Sequence, residues 1–166
     1  MSSTVRKVSL LGDFAVGKTS TVTRVVRNTF SEKYLTTVGV KVDSRSMTMP
    51  DQTVLRLVLW DIAGARSIDQ IRSSYLSGSH GLLLAADGTR IETVDGVLSL
   101  RQQAFRVLGR ELPTVLILNK CDRSEEWSIS QSRMHALASR LPVFSTSAKT
   151  GDGIEEAFAA LANCVM

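Results

Sequence analysis

Short aliphatic and β-branched runs alternate along this chain with longer stretches in which apolar residues recur at helical spacing. The runs at residues 5–11, 40–49, 54–60, 82–86, 115–118 and 143–146 read as strands, punctuated by Gly, Pro, Asp and Asn. Helical spacing covers residues 18–27, 94–108, 130–140 and 154–164, with a weaker segment at 68–76. One strand followed by one helix is the pattern of a mostly parallel sheet covered on both faces. Between 40–49 and 54–60 stands only the turn Pro50-Asp51-Gln52, too short for a crossover, so this pair is predicted to be an antiparallel hairpin. The expected fold class is α/β: a six-stranded, mostly parallel sheet with one antiparallel strand, flanked by five helices. These elements occupy the chain, so one domain over residues 1–166 is expected.

Composition adds mainly exclusions. The 166 residues are 43% hydrophobic and 22% charged, which excludes intrinsic disorder. The formal net charge of +4 is too mild to define a partner, and no aromatic interleaving or motif points to nucleic acid. Two cysteines, Cys121 and Cys164, cannot build a disulfide framework, which favours a reducing compartment. The longest apolar runs, 82–86 and 115–118, fall far short of the roughly 18 residues of a membrane helix. A cytoplasmic monomer is expected, peripheral at membranes only if a lipidated tail lies outside this sequence, because Cys164 misses the four-residue prenylation box.

Chemistry enters at Gly12-Asp13-Phe14-Ala15-Val16-Gly17-Lys18-Thr19, which fits G-x-x-x-x-G-K-[ST] between a predicted strand and a predicted helix. In such a loop, backbone N–H groups and the helix start point at a phosphate chain. Asp13, Phe14, Ala15, Val16, Gly17, Lys18, Thr19 and Ser20 are therefore expected around the phosphates, with Lys18 on the β- and γ-phosphates and Thr19 on Mg²⁺. The third strand runs into Asp61-Ile62-Ala63-Gly64. Asp61 is expected to hold a Mg²⁺-bound water, and Gly64 to bring its amide to a γ-phosphate.

The fifth strand runs into Asn119-Lys120-Cys121-Asp122. A carboxylate accepts from guanine N1–H and its exocyclic amine together, a donor pair adenine lacks, so Asp122 points to guanine. Asn119 is expected to tie the loop together, and the Lys120 stem to cover the ring. Backbone amides of Ser147, Ala148 and Lys149 are expected to face the guanine carbonyl.

With these motifs the chain resembles the Ras superfamily of small GTPases, most closely its Rab branch. The Rab-like marks are Gly12-Asp13, Thr37-Val38-Gly39-Val40, Trp60-Asp61, Ser73-Ser74-Tyr75 and Gly78-Ser79-His80-Gly81. The resemblance implies a P-loop G domain with GTP or GDP as ligand and Mg²⁺ as cofactor. It further implies switch segments 29–40 and 63–75, which effector proteins, an exchange factor and a GTPase-activating protein would read. By the same likeness Thr37 binds Mg²⁺, Phe30 meets guanine edge-on and Tyr34 closes over the phosphates.

The departures from the family lie where hydrolysis is controlled. Ala65 stands where a water-orienting glutamine is usual, and Phe14 where glycine or a small residue is usual, with Ala15 following. The expectation is a GTP hydrolase of very low intrinsic activity, regulating signalling or vesicle traffic. Its rival is a hydrolysis-deficient, constitutively nucleotide-bound scaffold. No catalytic residue is assigned; Arg66, or Gln70 one turn on, is the candidate for compensating Ala65. His80 and His135 have no companions at metal-ligand spacing and are expected to be structural or surface histidines, and Cys121 carries no mark of a nucleophile. The arginines of the third and fourth helices, Arg101, Arg106, Arg110, Arg133 and Arg140, are expected to form solvated faces.

Overall fold

The computed structural model of the chain describes residues 2–33 and 36–166. Its order is β1 (Ser3–Leu11), α1 (Lys18–Arg27), β2 (Val40–Thr48), β3 (Val54–Ile62), α2 (Ser73–Leu76), β4 (Gly81–Asp87), α3 (Glu92–Leu108), β5 (Thr114–Asn119), α4 (Gln131–Ala138), β6 (Val143–Ser145) and α5 (Ile154–Val165). The strands form one six-stranded sheet in the order β2-β3-β1-β4-β5-β6, antiparallel only between β2 and β3. The hairpin closes at Met49, whose amide donates to the Thr53 carbonyl.

Period-two alternation divides the sheet between two cores. On β4, which is buried throughout, Leu82, Leu84 and Ala86 face one layer with α3, while Leu83 and Ala85 face the other with α1 and α5. Helix α5 fills the second layer with Ile154, Ala157, Phe158, Leu161, Ala162 and Val165, a continuous stripe at helical spacing. The chain order reverses at β1, which lies between β3 and β4, so the carboxyl end of β1 is the topological switch point where such sheets bind ligands. Gly12 begins there.

Three departures from expectation have an evident local cause. Residues 68–76 are two short pieces, a 3-10 turn Ile68–Gln70 and the one-turn helix α2. Ser67 and Gln70 form a capping box, and Ile71 then turns extended to bury its side chain. Helix α4 stops at Ala138, where the Arg140 and Leu141 amides close a turn on the Leu137 carbonyl ahead of Pro142. Strand β3 continues to Ile62 because Asp61 and Ile62 still pair with Lys41 and Val40.

His80 is structural, its Nδ1 accepting from the Lys7 amide, and both cysteines are free. Among the described residues no helix is long and apolar enough to cross a membrane. Phe158 is fully buried. Phe158→Ala should lower the unfolding free energy by about 3–5 kcal/mol, read by chemical denaturation.

Candidate functional site

The ends of β1, β3 and β5 and the start of α1 border a cleft of about 680 Å³, within the range of small-ligand sites. Among the described residues seven basic side chains line it against the carboxylates of Glu32 and Asp122, a balance that suits a polyanion. Phe14, Ala15, Gly17, Lys18, Thr19, Ser20, Phe30, Thr37, Gly64, Asn119, Lys120, Asp122, Ala148 and Lys149 all border it. Asp13, Val16, Asp61 and Ser147 stand behind the lining. Tyr34 lies outside the described residues.

Helix α1 starts without a side-chain cap and without an acid in its first turn, whereas α3 and α5 begin with Glu92 and Asp95 and with Glu155 and Glu156. Its free amides and dipole therefore remain available to an anion. Gly17 at the cap has φ 99°, and a Cβ there would fall 2.1 Å from Asn119 Nδ2, so only glycine fits.

The loop before α1 is tied from outside. Lys18 Nζ donates to the carbonyls of Gly12 and Asp13 at 3.1 Å each, and Arg90 Nη2 donates to Phe14 at 2.7 Å. Lys120 Nζ donates to Ala15 at 2.9 Å, and Asn119 Nδ2 to Val16 at 3.0 Å. Five consecutive carbonyls thus have side-chain donors. Lys18 is buried, and desolvation lowers its pKa to about 8 against the opposing pull of Asp61 and Asp13. An anionic ligand would raise the pKa again.

Thr19 Oγ1 lies 2.6 Å from both Thr37 Oγ1 and Asp61 Oδ2. Burial pushes the Asp61 carboxyl above the usual range, although the Thr19 hydrogen bond and Lys18 oppose it. Its Oδ1 is buried with no hydrogen-bond partner among the described residues. Convergent hydroxyl and carboxylate oxygens with one orphaned acceptor fit a hard divalent cation such as Mg²⁺.

At the other end of the cleft Ser147 Oγ donates to Asp122 Oδ1 at 2.7 Å, and Arg24 donates to the Ala148 and Lys149 carbonyls. Two of the three amides expected at the base have partners within the protein. The Ser147 amide is spent on the Asp152 carbonyl, and the Ala148 amide donates to Asn119 Oδ1 at 3.1 Å. The turn at Gly151 and Asp152 takes the first amide inward. Of the three, only Lys149 has an amide that donates to no other described residue.

Near Gly64 the Phe14 side chain forms the lip of the cleft, 43% exposed, and a Cβ on Gly64 would fall 2.9 Å from its ring and 2.8 Å from its backbone. Ala65 is buried, with its amide on the Gly12 carbonyl. Both candidates for replacing the missing glutamine are engaged elsewhere. Arg66 Nε pairs with both oxygens of Asp13 at 3.1 Å, and Gln70 Oε1 accepts from the Arg66 amide at 2.8 Å.

Sequence reasoning passed over Asp87, Arg90 and Arg24. For Asp87 a signal existed, since it ends the apolar run of β4 as Asp61 and Asn119 terminate theirs. The two arginines act on backbone carbonyls and carry no motif.

The Ras family model matches residues 7–166. The chain is 32% identical over 157 residues to the Ras-related protein RABD2c of Arabidopsis thaliana, covering 93% of this chain and 77% of that one. It is 32% identical over 161 residues to the GTP-binding protein YPTM1 of Zea mays, covering 96% and 77%. With the Ras-related protein RabG2 of Dictyostelium discoideum it shares 36% identity over 163 residues, covering 96% and 81%.

Asn119 is 3% exposed and serves the loop on one side and the Ala148 amide on the other. Asn119→Ala should destabilise the protein by about 1–3 kcal/mol for each group left unpaired, measured by urea denaturation.

Proposed function

Because the chain belongs to the Ras family of small GTPases and is similar to Rab-related proteins, we propose that it is a guanine-nucleotide switch that binds GTP and GDP with Mg²⁺ and hydrolyses GTP slowly. The observation that carries this reading is a single cationic cleft joining an acid-free helix start at one end to the Asp122 carboxylate at the other.

In this reading the amides of residues 15–19 and Lys18 bind the phosphate chain, the Phe14 amide being held by Asp13 Oδ1, and Phe30 lies beside the base. The free oxygen of Asp122 accepts from guanine. Thr19, Thr37 and Asp61 would hold Mg²⁺, the last through water, and the cation when bound neutralises charge on the β- and γ-phosphates. The Gly64 amide senses the γ-phosphate. Residues 29–40 and 63–75 change order with that phosphate and present the difference to effectors, an exchange factor and a GTPase-activating protein. The regulated process is intracellular signalling or vesicle traffic.

Slow hydrolysis follows from what surrounds the attacking water. Ala65 can neither donate to it nor accept from it, while Arg66 and Gln70 are held by Asp13 and by the backbone. Phe14 stands at the lip where an incoming arginine would pass, and such an arginine is worth about 10³–10⁵ in rate. In single turnover the GTP-loaded protein should hydrolyse at least about tenfold more slowly than the Phe14→Gly/Ala65→Gln variant. Equal rates contradict this part of the reading.

The Arg66–Asp13 pair and the seat of Phe14 on Gly64 favour a second reading, a scaffold without a turnover cycle. Both contacts hold residues 64–66 on the phosphate loop without help from a γ-phosphate. Hydrogen exchange at residues 63–75 separates the two readings. The switch requires slower exchange with a non-hydrolysable GTP analogue than with GDP; the scaffold requires the same exchange with either.

A further inference from the structure

Asp87 ends β4 with its side chain 1% exposed and fully engaged. Its Oδ1 accepts from the Thr89 amide at 2.9 Å and the Thr89 hydroxyl at 2.6 Å. Its Oδ2 accepts from Lys120 Nζ at 2.9 Å and Arg90 Nε at 3.2 Å. Hydrogen bonds from Thr89 and Lys120 outweigh burial and hold this carboxyl below its usual range, so it stays ionised between the two cations.

Each cation also grips the phosphate loop, Arg90 at the Phe14 carbonyl and Lys120 at the Ala15 carbonyl. The grips fall on either side of a strained residue. Ala15 has φ 60°, in the left-handed region that a residue with a Cβ disfavours. An untethered Phe14–Ala15 peptide has an easier conformation available by flipping. In a planar trans peptide the carbonyl and the N–H point in opposite directions. Holding the Phe14 carbonyl outward therefore aims the Ala15 amide inward, and a flip would present a carbonyl to the phosphates instead.

We propose that Arg90, seated on Asp87, is a positioning residue for phosphate binding: its guanidinium locks the Phe14–Ala15 peptide so that the Ala15 amide faces the ligand. The role needs an arginine, because Nε and Nη2 serve a carboxylate and a carbonyl at once in fixed geometry. It also accounts for how a loop with Phe14 and Ala15 in place of smaller residues keeps its phosphate-binding shape. The proposal rests on the nucleotide reading above and adds two residues, Asp87 and Arg90, to the machinery.

The test follows dissociation of a fluorescent GDP analogue from the unsubstituted protein, from Arg90→Ala and from Arg90→Ala/Ala15→Gly, with hydrogen exchange on the GDP-bound forms. Losing one charge-assisted hydrogen bond should speed release from Arg90→Ala about tenfold or more. Faster exchange should be confined to residues 13–17. Glycine relieves the left-handed strain, so the double variant should release the analogue more slowly than Arg90→Ala. Release from Arg90→Ala at the unsubstituted rate, faster exchange throughout the sheet, or a double variant no slower than the single one overturns the positioning role. Failure of the unsubstituted protein to retain the analogue refutes the nucleotide reading and the clamp with it.

Discussion

The site depends on the orientation of one short run of peptide bonds. Carbonyls 12 to 16 are each bound by a side-chain donor, from Lys18, Arg90, Lys120 or Asn119, and those donors come from α1, the β4–α3 connection and the end of β5. With the carbonyls of residues 14 to 16 anchored outward the N–H groups of residues 15 to 17 turn inward, and α1 adds an uncapped, acid-free start. The sheet order matters for the same reason. It sets β1 between β3 and β4, so Gly12, Asp61 and Asp87 lie at neighbouring strand ends, with Asn119 on the next strand. The two cores on either side hold those ends in register.

The Mg²⁺-side residues form the second charged layer. Asp61 is buried behind Lys18 and Thr19, with one oxygen satisfied and one orphaned, a costly arrangement without a cation. Around Gly64 the contacts have a different character. Phe14 packs on the glycine and Arg66 pairs with Asp13, so residues that a γ-phosphate would order already have partners inside the protein. A ligand shifts such a segment only by its differential affinity for the two states, and prior docking reduces that difference.

The sheet, the hairpin and four of the helices were legible because their apolar periods are strong: the buried run of β4 and the stripe of α5 admit little else. Residues 68–76 misled because Asp69, Gln70 and Arg72 break the period, and because a side-chain cap at Ser67 and the burial of Ile71 decide the local path. The phosphate loop, Asp61 and Asn119 to Asp122 were readable because their chemistry demands fixed residues at strand ends. Arg90 was not, since it acts through a backbone carbonyl that any sequence possesses, whereas Asp87 left its signal at the end of the β4 run. The partners of the Ser147 and Ala148 amides were unreadable for a related reason: Asp152 and Asn119 are set against them only by the folded turn.

The most direct measurement of the central claim is calorimetric titration of nucleotide-depleted protein with GDP and with ADP in the presence of Mg²⁺. A cleft that anchors phosphates with the loop and reads the base with Asp122 requires tight GDP binding and ADP binding at least about a hundredfold weaker. Equal affinity for the two, or no binding of GDP, would contradict the account.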